Sequence, residues 1–385
     1  MAGSFDQPTA WQRASKVLGG FDWPLLLAML MLAALGLVAM YSAGYDHGTR
    51  FKDHGRNMLL ALVVVFVVAQ IPPQRLQQLA VPLYVVGVAL LLATALFGIT
   101  RKGATRWLAL GPLVIQPSEI LKVAMPLMLA WWFQKREGRR LASDFIIATL
   151  LLLLPVAVVI KQPDLGTALL ILASGLYVLF FAGLSWKLVA PVLLLGLLGI
   201  TALVLSADTI CEPGVRWPLL REYQQHRICT LLDPTRDPLG KGFHILQGMI
   251  AIGSGGLAGK GFMQGTQTHL EFIPERTTDF IFAAFCEEFG LTGVVLLLLS
   301  FTFLIYRGLM IAAAAPTVFT RLLTGAVTMG FFSYAFVNMG MVSGILPVVG
   351  VPLPFISYGG TAMVSLGLGL GILMSVARSR RLMQS

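Results

Sequence analysis

The stretch FIPERTTDFIFAAFCEEFGLTGVVLLLLSFTFLIYRG, residues 272 to 308, decides how this chain is read. From 279 to 306 it is apolar for long enough to cross about 30 Å of hydrocarbon as a helix rising about 1.5 Å per residue. Yet it opens on Asp279 and carries Glu287 about two turns further in. A carboxylate in hydrocarbon costs several kcal/mol, so acids within a span or at its mouth usually line a water-filled cavity or a substrate path.

The rest of the chain repeats the pattern. Of 385 residues, 57% are hydrophobic and 12% charged, and the mean hydropathy is +0.81, far from the composition of a soluble globular domain. Further apolar runs lie near 21 to 43, 57 to 70, 81 to 99, 112 to 134, 143 to 160, 164 to 183, 186 to 206, 316 to 345 and 352 to 376. The expectation is an all-α integral membrane protein of about ten transmembrane helices, organised as one polytopic membrane domain over 1 to 385.

Placing both termini in the cytoplasm puts thirteen Lys and Arg in inside segments against seven in the short outside loops, which is the expected bias. The first span follows Arg13 and Lys16 but is longer than a cleaved signal's apolar region, and reads as a retained anchor. In this orientation Glu119, Asp164, Asp279 and Glu287 all belong to the outer, periplasmic side of an inner membrane. The net charge of +10 reflects this topology, and its dispersed basic residues form no stripe for nucleic acid.

The large insertion, 207 to 277, falls outside between spans seven and eight. Within it, residues 217 to 233 carry apolar side chains at helical spacing, an amphipathic helix for the outer membrane surface or for packing on the bundle. Cys211 and Cys229 share this loop, and either a disulfide or two thiols fits the spacing. The glycines of AIGSGGLAGKGF (251 to 262) lack Walker A spacing, so the segment reads as a mobile loop without ATP. The five histidines lie outside the spans with no zinc-ligand spacing, and read as solvated or interfacial.

Span four opens with QPSEILK. Pro117 suits a first helical turn, and Glu119 and Lys122 at i and i+3 share a face, as an ion pair that neutralises itself or positions substrate. Span six opens with KQPDLGT, where Asp164 is placed to cap the helix and Lys161 sets a cation beside it. At 100° per residue Glu287 lies closer to the face of Asp279 than Glu288 does, and is the better inward candidate. Asp279 is suited either to the positive end of a helix or to general base catalysis, with Arg276 near enough in sequence to orient it or to meet a phosphate. Between spans nine and ten, GMVSGILPVVGVPLPFISYGGT (340 to 361) cannot remain helical and is expected to wall the site.

QPSE with Lys122, QPDLGT, PERTTDF followed by EEFG, and GILPVVGVPLPFISYGGT stand in an order that resembles the SEDS family of shape, elongation, division and sporulation proteins. The Pro-Val-Val-Gly-Val-Pro segment and the short N-terminal tail resemble its elongation branch more than its division branch. The resemblance covers nearly all the spans. It implies a peptidoglycan glycosyltransferase that polymerises lipid II during elongation, with Asp279 as general base. The base would take a proton from an acceptor sugar hydroxyl, which attacks the lipid-linked donor with inversion and expels undecaprenyl pyrophosphate. By the same analogy Glu119 and Lys122 shape the cavity, and Lys102, Arg106, Lys161 or Arg276 meets the pyrophosphate. Implied partners are a class B penicillin-binding protein and the MreB, MreC and MreD elongation machinery.

The acids suffice to bind Mg²⁺ or another divalent cation, but no dedicated ligand motif accompanies them, so no cofactor is assigned. A lipid II flippase is the competing class, since charges at membrane depth and broken helices also mark transporters. A non-catalytic scaffold explains the spans and leaves the acids without a role.

Overall fold

A computed structural model describes residues 20 to 384, except 47, 102–103, 111–112, 139, 213–214, 216, 218–221, 238–239 and 274. Helix α1 (Trp23–Ala43) starts at Asp22, whose side chain accepts from the Leu25 N–H at 3.1 Å. Arg307 also grips Asp22 through two bonds, of 2.9 and 2.6 Å. Helices α2 (Arg50–Ala69) and α3 (Pro73–Phe97) follow. A three-stranded antiparallel sheet then intervenes, β1 (Ile99–Arg101), β2 (Ala104–Leu110) and β3 (Leu113–Ile115) in that order. It takes the residues read above as the start of span four, so helix α4 (Pro117–Gln134) begins at the proline.

Helices α5 (Ala142–Lys161), α6 (Leu165–Phe181) and α7 (Trp186–Leu205) complete the first seven crossings. In the following insertion, α8 (Ala207–Ile210), α9 (Glu222–Leu232) and α10 (Lys241–Ser254) lead to α11 (Thr266–His269). A disulfide joins Cys211 to Cys229, settling the alternative that their spacing left open. Helix α9 packs on α10. The last helices are α12 (Ile281–Ala313), α13 (Val318–Val342) and α14 (Gly360–Gln384).

Among the described residues, ten helices of 17 residues or more thus lie where the apolar runs fall. Seven of them pass length and hydropathy limits for a span outright, and α6 is a shorter apolar helix. The protein is a multi-pass, all-α membrane protein with one small sheet among the described residues. One core joins α1, α12, α13 and α14 with the 346–358 segment, and a second joins α3, α4, α5, α6 and α13. Helix α7 buries none of its residues, as a helix apolar on every face can when its solvent is lipid.

Helix α12 is interrupted. Gly290 has φ 59° and ψ −159°, a backbone region open essentially to glycine alone. The glycine-rich loop fills the break: the N–H groups of Lys260 and Gly261 donate to the carbonyls of Glu287 and Glu288, each at 3.0 Å. The N–H groups of Leu291 and Thr292 donate back to Gly256 and Leu257 at 3.0 and 3.1 Å. The segment read as a mobile loop is therefore helical to Ser254 and then pinned by backbone pairing. His54, read as solvated, is fully buried.

Candidate active site

Asp279 lies in a turn just ahead of α12. The N–H groups of Thr278 and Phe280 donate to the Glu275 carbonyl at 3.0 and 3.2 Å, which closes the turn. Three groups then bolt it to the Pro- and Gly-rich segment. Asn338 of α13, fully buried, donates through Nδ2 to the Asp279 carbonyl at 3.0 Å and the Val351 carbonyl at 2.7 Å. Ser357 Oγ donates to the Thr278 carbonyl at 2.6 Å, and the Tyr358 N–H to that of Thr277 at 2.8 Å. Each such bond contributes about 0.5–1.5 kcal/mol, so together they fix the turn firmly.

The turn faces a cavity of about 330 Å³ at one end of the helix bundle. Glu119 and Lys122 line it as the i, i+3 spacing predicts, 2.6 Å apart. Lys122 Nζ also donates to the Tyr334 hydroxyl at 2.9 Å, and Ser365 Oγ donates to Glu119 Oε2 at 2.9 Å. Asp164 caps α6 by accepting from the Thr167 N–H at 3.3 Å, and it also faces the cavity. Its other neighbours are Gln116 Nε2 at 3.3 Å and Arg106 Nη1 at 3.7 Å. The sheet delivers Arg106, whose Nη2 donates to the Pro163 carbonyl at 2.7 Å. Capping and site membership are thus compatible for Asp164.

Five of the residues singled out from the sequence therefore line one cavity: Arg106, Glu119, Lys122, Asp164 and Asp279. Three others do not. Lys161, the last residue of α5, is exposed and stands off the lining. Arg276 is buried on the far side of the turn, where it pairs with Asp46 and donates through Nε to the Ala43 carbonyl at 3.0 Å. Glu287 is fully buried behind the site, holding the loop that fills the helix break. It accepts from Lys260 Nζ at 2.6 Å, Thr266 Oγ1 at 3.1 Å and the Gln267 and Thr268 N–H groups at 2.9 and 3.2 Å. Lys102 lies outside the described residues.

The reading passed over Gln116, Glu275, Thr278 and Tyr358, which also line the cavity. All four sit inside the motifs QPSE, PERTTDF and FISYGGT, so the signal was present but unassigned. Asn338, Tyr334 and Ser365 offered a weaker one, a polar group in an apolar span. Among the described residues no three His, Cys, Asp or Glu side chains converge as a metal ligand set.

The cell cycle protein family model of FtsW, RodA and SpoVE matches residues 23–382. This chain belongs to that family. The SEDS resemblance drawn from the motifs is therefore correct. The chain is 47% identical over 359 residues to the peptidoglycan glycosyltransferase MrdB of Escherichia coli K12, covering 93% of each. It is 33% identical to a probable peptidoglycan glycosyltransferase FtsW of Geobacter sp. M18, covering 94% of this chain and 98% of that one.

Solved family structures agree. The rod shape determining protein RodA of Thermus thermophilus superposes with a TM-score of 0.68 at 30% identity, over 94% of this chain and 97% of that one. A chain from a peptidoglycan synthase complex that coordinates polymerisation and crosslinking gives 0.76 at 34% identity, over 94% and 98%.

Proposed function

We propose that this FtsW/RodA/SpoVE-family protein is a peptidoglycan glycosyltransferase that polymerises lipid II for cell elongation, with Asp279 as general base. The observation that carries the residue assignment is the convergence of Asp279, Glu119, Asp164, Arg106 and Lys122 on one cavity at the outer ends of α4, α6 and α12. The activity itself rests on relatives of that name along almost the whole chain. The positive-inside bias turns this end toward the periplasm, and a disulfide in the neighbouring insertion accords with an oxidising compartment.

In the proposed reaction the Asp279 carboxylate accepts the proton of an acceptor sugar hydroxyl as that oxygen attacks the donor's anomeric carbon. The bond from that carbon to the pyrophosphate oxygen breaks, and undecaprenyl pyrophosphate leaves with inversion. Arg106, at the rim, is placed to meet the departing negative charge. The Glu119–Lys122 pair, locked by Ser365 and Tyr334, sets the shape of the cavity. Among the described residues no three acids converge as a ligand set, so a divalent cation has no assigned role in the proposed reaction. A class B penicillin-binding protein would supply crosslinking, as in the synthase complex, and the MreB, MreC and MreD machinery would direct it.

The test is purified protein, wild type and Asp279→Ala, reconstituted with fluorescent lipid II and the transpeptidase. Glycan ladders from the wild type alone support the reading. Transbilayer movement of lipid II without polymer favours the flippase.

A further inference from the structure

The end of the bundle opposite the Asp279 cavity has a groove of its own. Helix α4 ends there, α5 begins there, and the return from α6 to α7 passes beside them. Between these elements lies a space of about 560 Å³, with Arg140 and Ser185 at its mouth and Phe145, Ile146, Leu150 and Leu188 along its walls. From Ala142 to Leu150 it follows α5 for eight residues, about 12 Å at a rise of about 1.5 Å each. That is less than half of about 30 Å of hydrocarbon, so the groove stays within one leaflet. Ile146, Leu150 and Leu188 are exposed and α7 buries none of its residues, so the apolar walls face lipid.

We infer that this groove binds an anionic phospholipid, with the phosphate at Arg140 and one acyl chain lying along α5. In the orientation set by the positive-inside bias it is a lipid of the inner leaflet. Charge selects that occupant. The Arg140 guanidinium is tethered rather than loose: it donates to the Ala182 carbonyl at the end of α6 and lies 5.8 Å from the Phe133 ring. The tether holds a cation at the mouth. Helices α5 and α7 both begin beside it, adding the partial positive charge of two N-termini. Asp144, the acid of the first turn of α5, is paired with Arg136 and stands off the lining. A negative head group therefore meets a cation with no carboxylate in the lining to oppose it. A basic mouth between helices on the cytoplasmic side is the kind of pocket that anionic head groups occupy. Free phosphate would leave the apolar length unfilled, and a zwitterionic lipid would bring a cation of its own toward Arg140.

The test uses delipidated full-length protein in detergent. It is offered phosphatidylglycerol or phosphatidylcholine of the same acyl chains, and native mass spectrometry measures the lipid retained. The wild type is expected to retain phosphatidylglycerol preferentially. Arg140→Gln is expected to weaken that binding about fivefold, the worth of one cation near an anionic surface, with phosphatidylcholine unchanged. Arg140→Lys is expected to restore most of the preference. Ile146→Trp, at an exposed position, fills the groove and is expected to lower retention of both lipids. Arg75→Gln removes an exposed charge at the same end but outside the groove, and is expected to change neither. Equal retention of the two lipids by the wild type overturns the proposal, as does a loss in Arg75→Gln that matches the loss in Arg140→Gln. A wild-type dimer that Ile146→Trp abolishes would assign the groove to a second copy of the chain and overturn it too.

Discussion

Two carboxylates of this protein answer to different demands. Glu119 shares its charge with Lys122 at 2.6 Å at the cavity wall, and the two are largely withdrawn from solvent. Replacing Lys122 by Met leaves Glu119 without its cation, at a cost of about 3–5 kcal/mol by analogy with other buried pairs. Thermal unfolding in detergent is expected to show that loss, and the Glu119→Gln, Lys122→Met pair is expected to recover most of it, as a double-mutant cycle would measure. Glu287 satisfies a loop instead. Glu287→Ala takes the carboxylate from Lys260 and leaves two backbone N–H groups without their acceptor, and is expected to lower the unfolding midpoint clearly, whereas Asp279→Asn leaves it near the wild type. The sequence made the Glu119–Lys122 contact legible because an i, i+3 pair within one helix is local. It misplaced Glu287 because a helical wheel counted from Asp279 assumes a helix there. The helix starts at Ile281, so an angle counted from Asp279 has no meaning across the turn.

At the scale of elements, ten apolar runs became ten helices, since a bilayer leaves a segment of that length and polarity few other choices. The three-stranded sheet escaped notice because β3, Leu-Val-Ile, continues the hydropathy of the span that follows it, and β1 is only three residues long. The broken helix α12 was also hidden: its partners at 256–261 lie some thirty residues away in sequence, and no local rule pairs them. Gly290→Ala tests that joint. A Cβ there would meet the backbone of Gly259 and Leu257, and the backbone conformation itself excludes alanine. A destabilisation of at least about 1–3 kcal/mol is expected from the strained dihedrals, read as a lower unfolding midpoint with reduced glycan yield. At the other end, Asp22→Ala removes both the α1 cap and the two bonds from Arg307. The cap alone is worth about 0.5–2 kcal/mol, and a loss of at least that size is expected in the same measurement.

Across the whole molecule, two apolar cores meet along α13, and the Pro- and Gly-rich segment supplies part of the cavity's wall. The three helices that bring the acids all begin at that end, so each carboxylate sits at or near a positive helix terminus, where its charge is favoured. That arrangement places Asp279 at the wall of the cavity and makes one claim central: the carboxylate moves a proton and does little to hold substrate. The rate of glycan formation by reconstituted Asp279→Asn at saturating lipid II, set beside its affinity for lipid II, measures this directly. Loss of a general base should slow the reaction by at least about 10²- to 10⁴-fold with affinity nearly unchanged. Polymer formed within tenfold of the wild-type rate would contradict it.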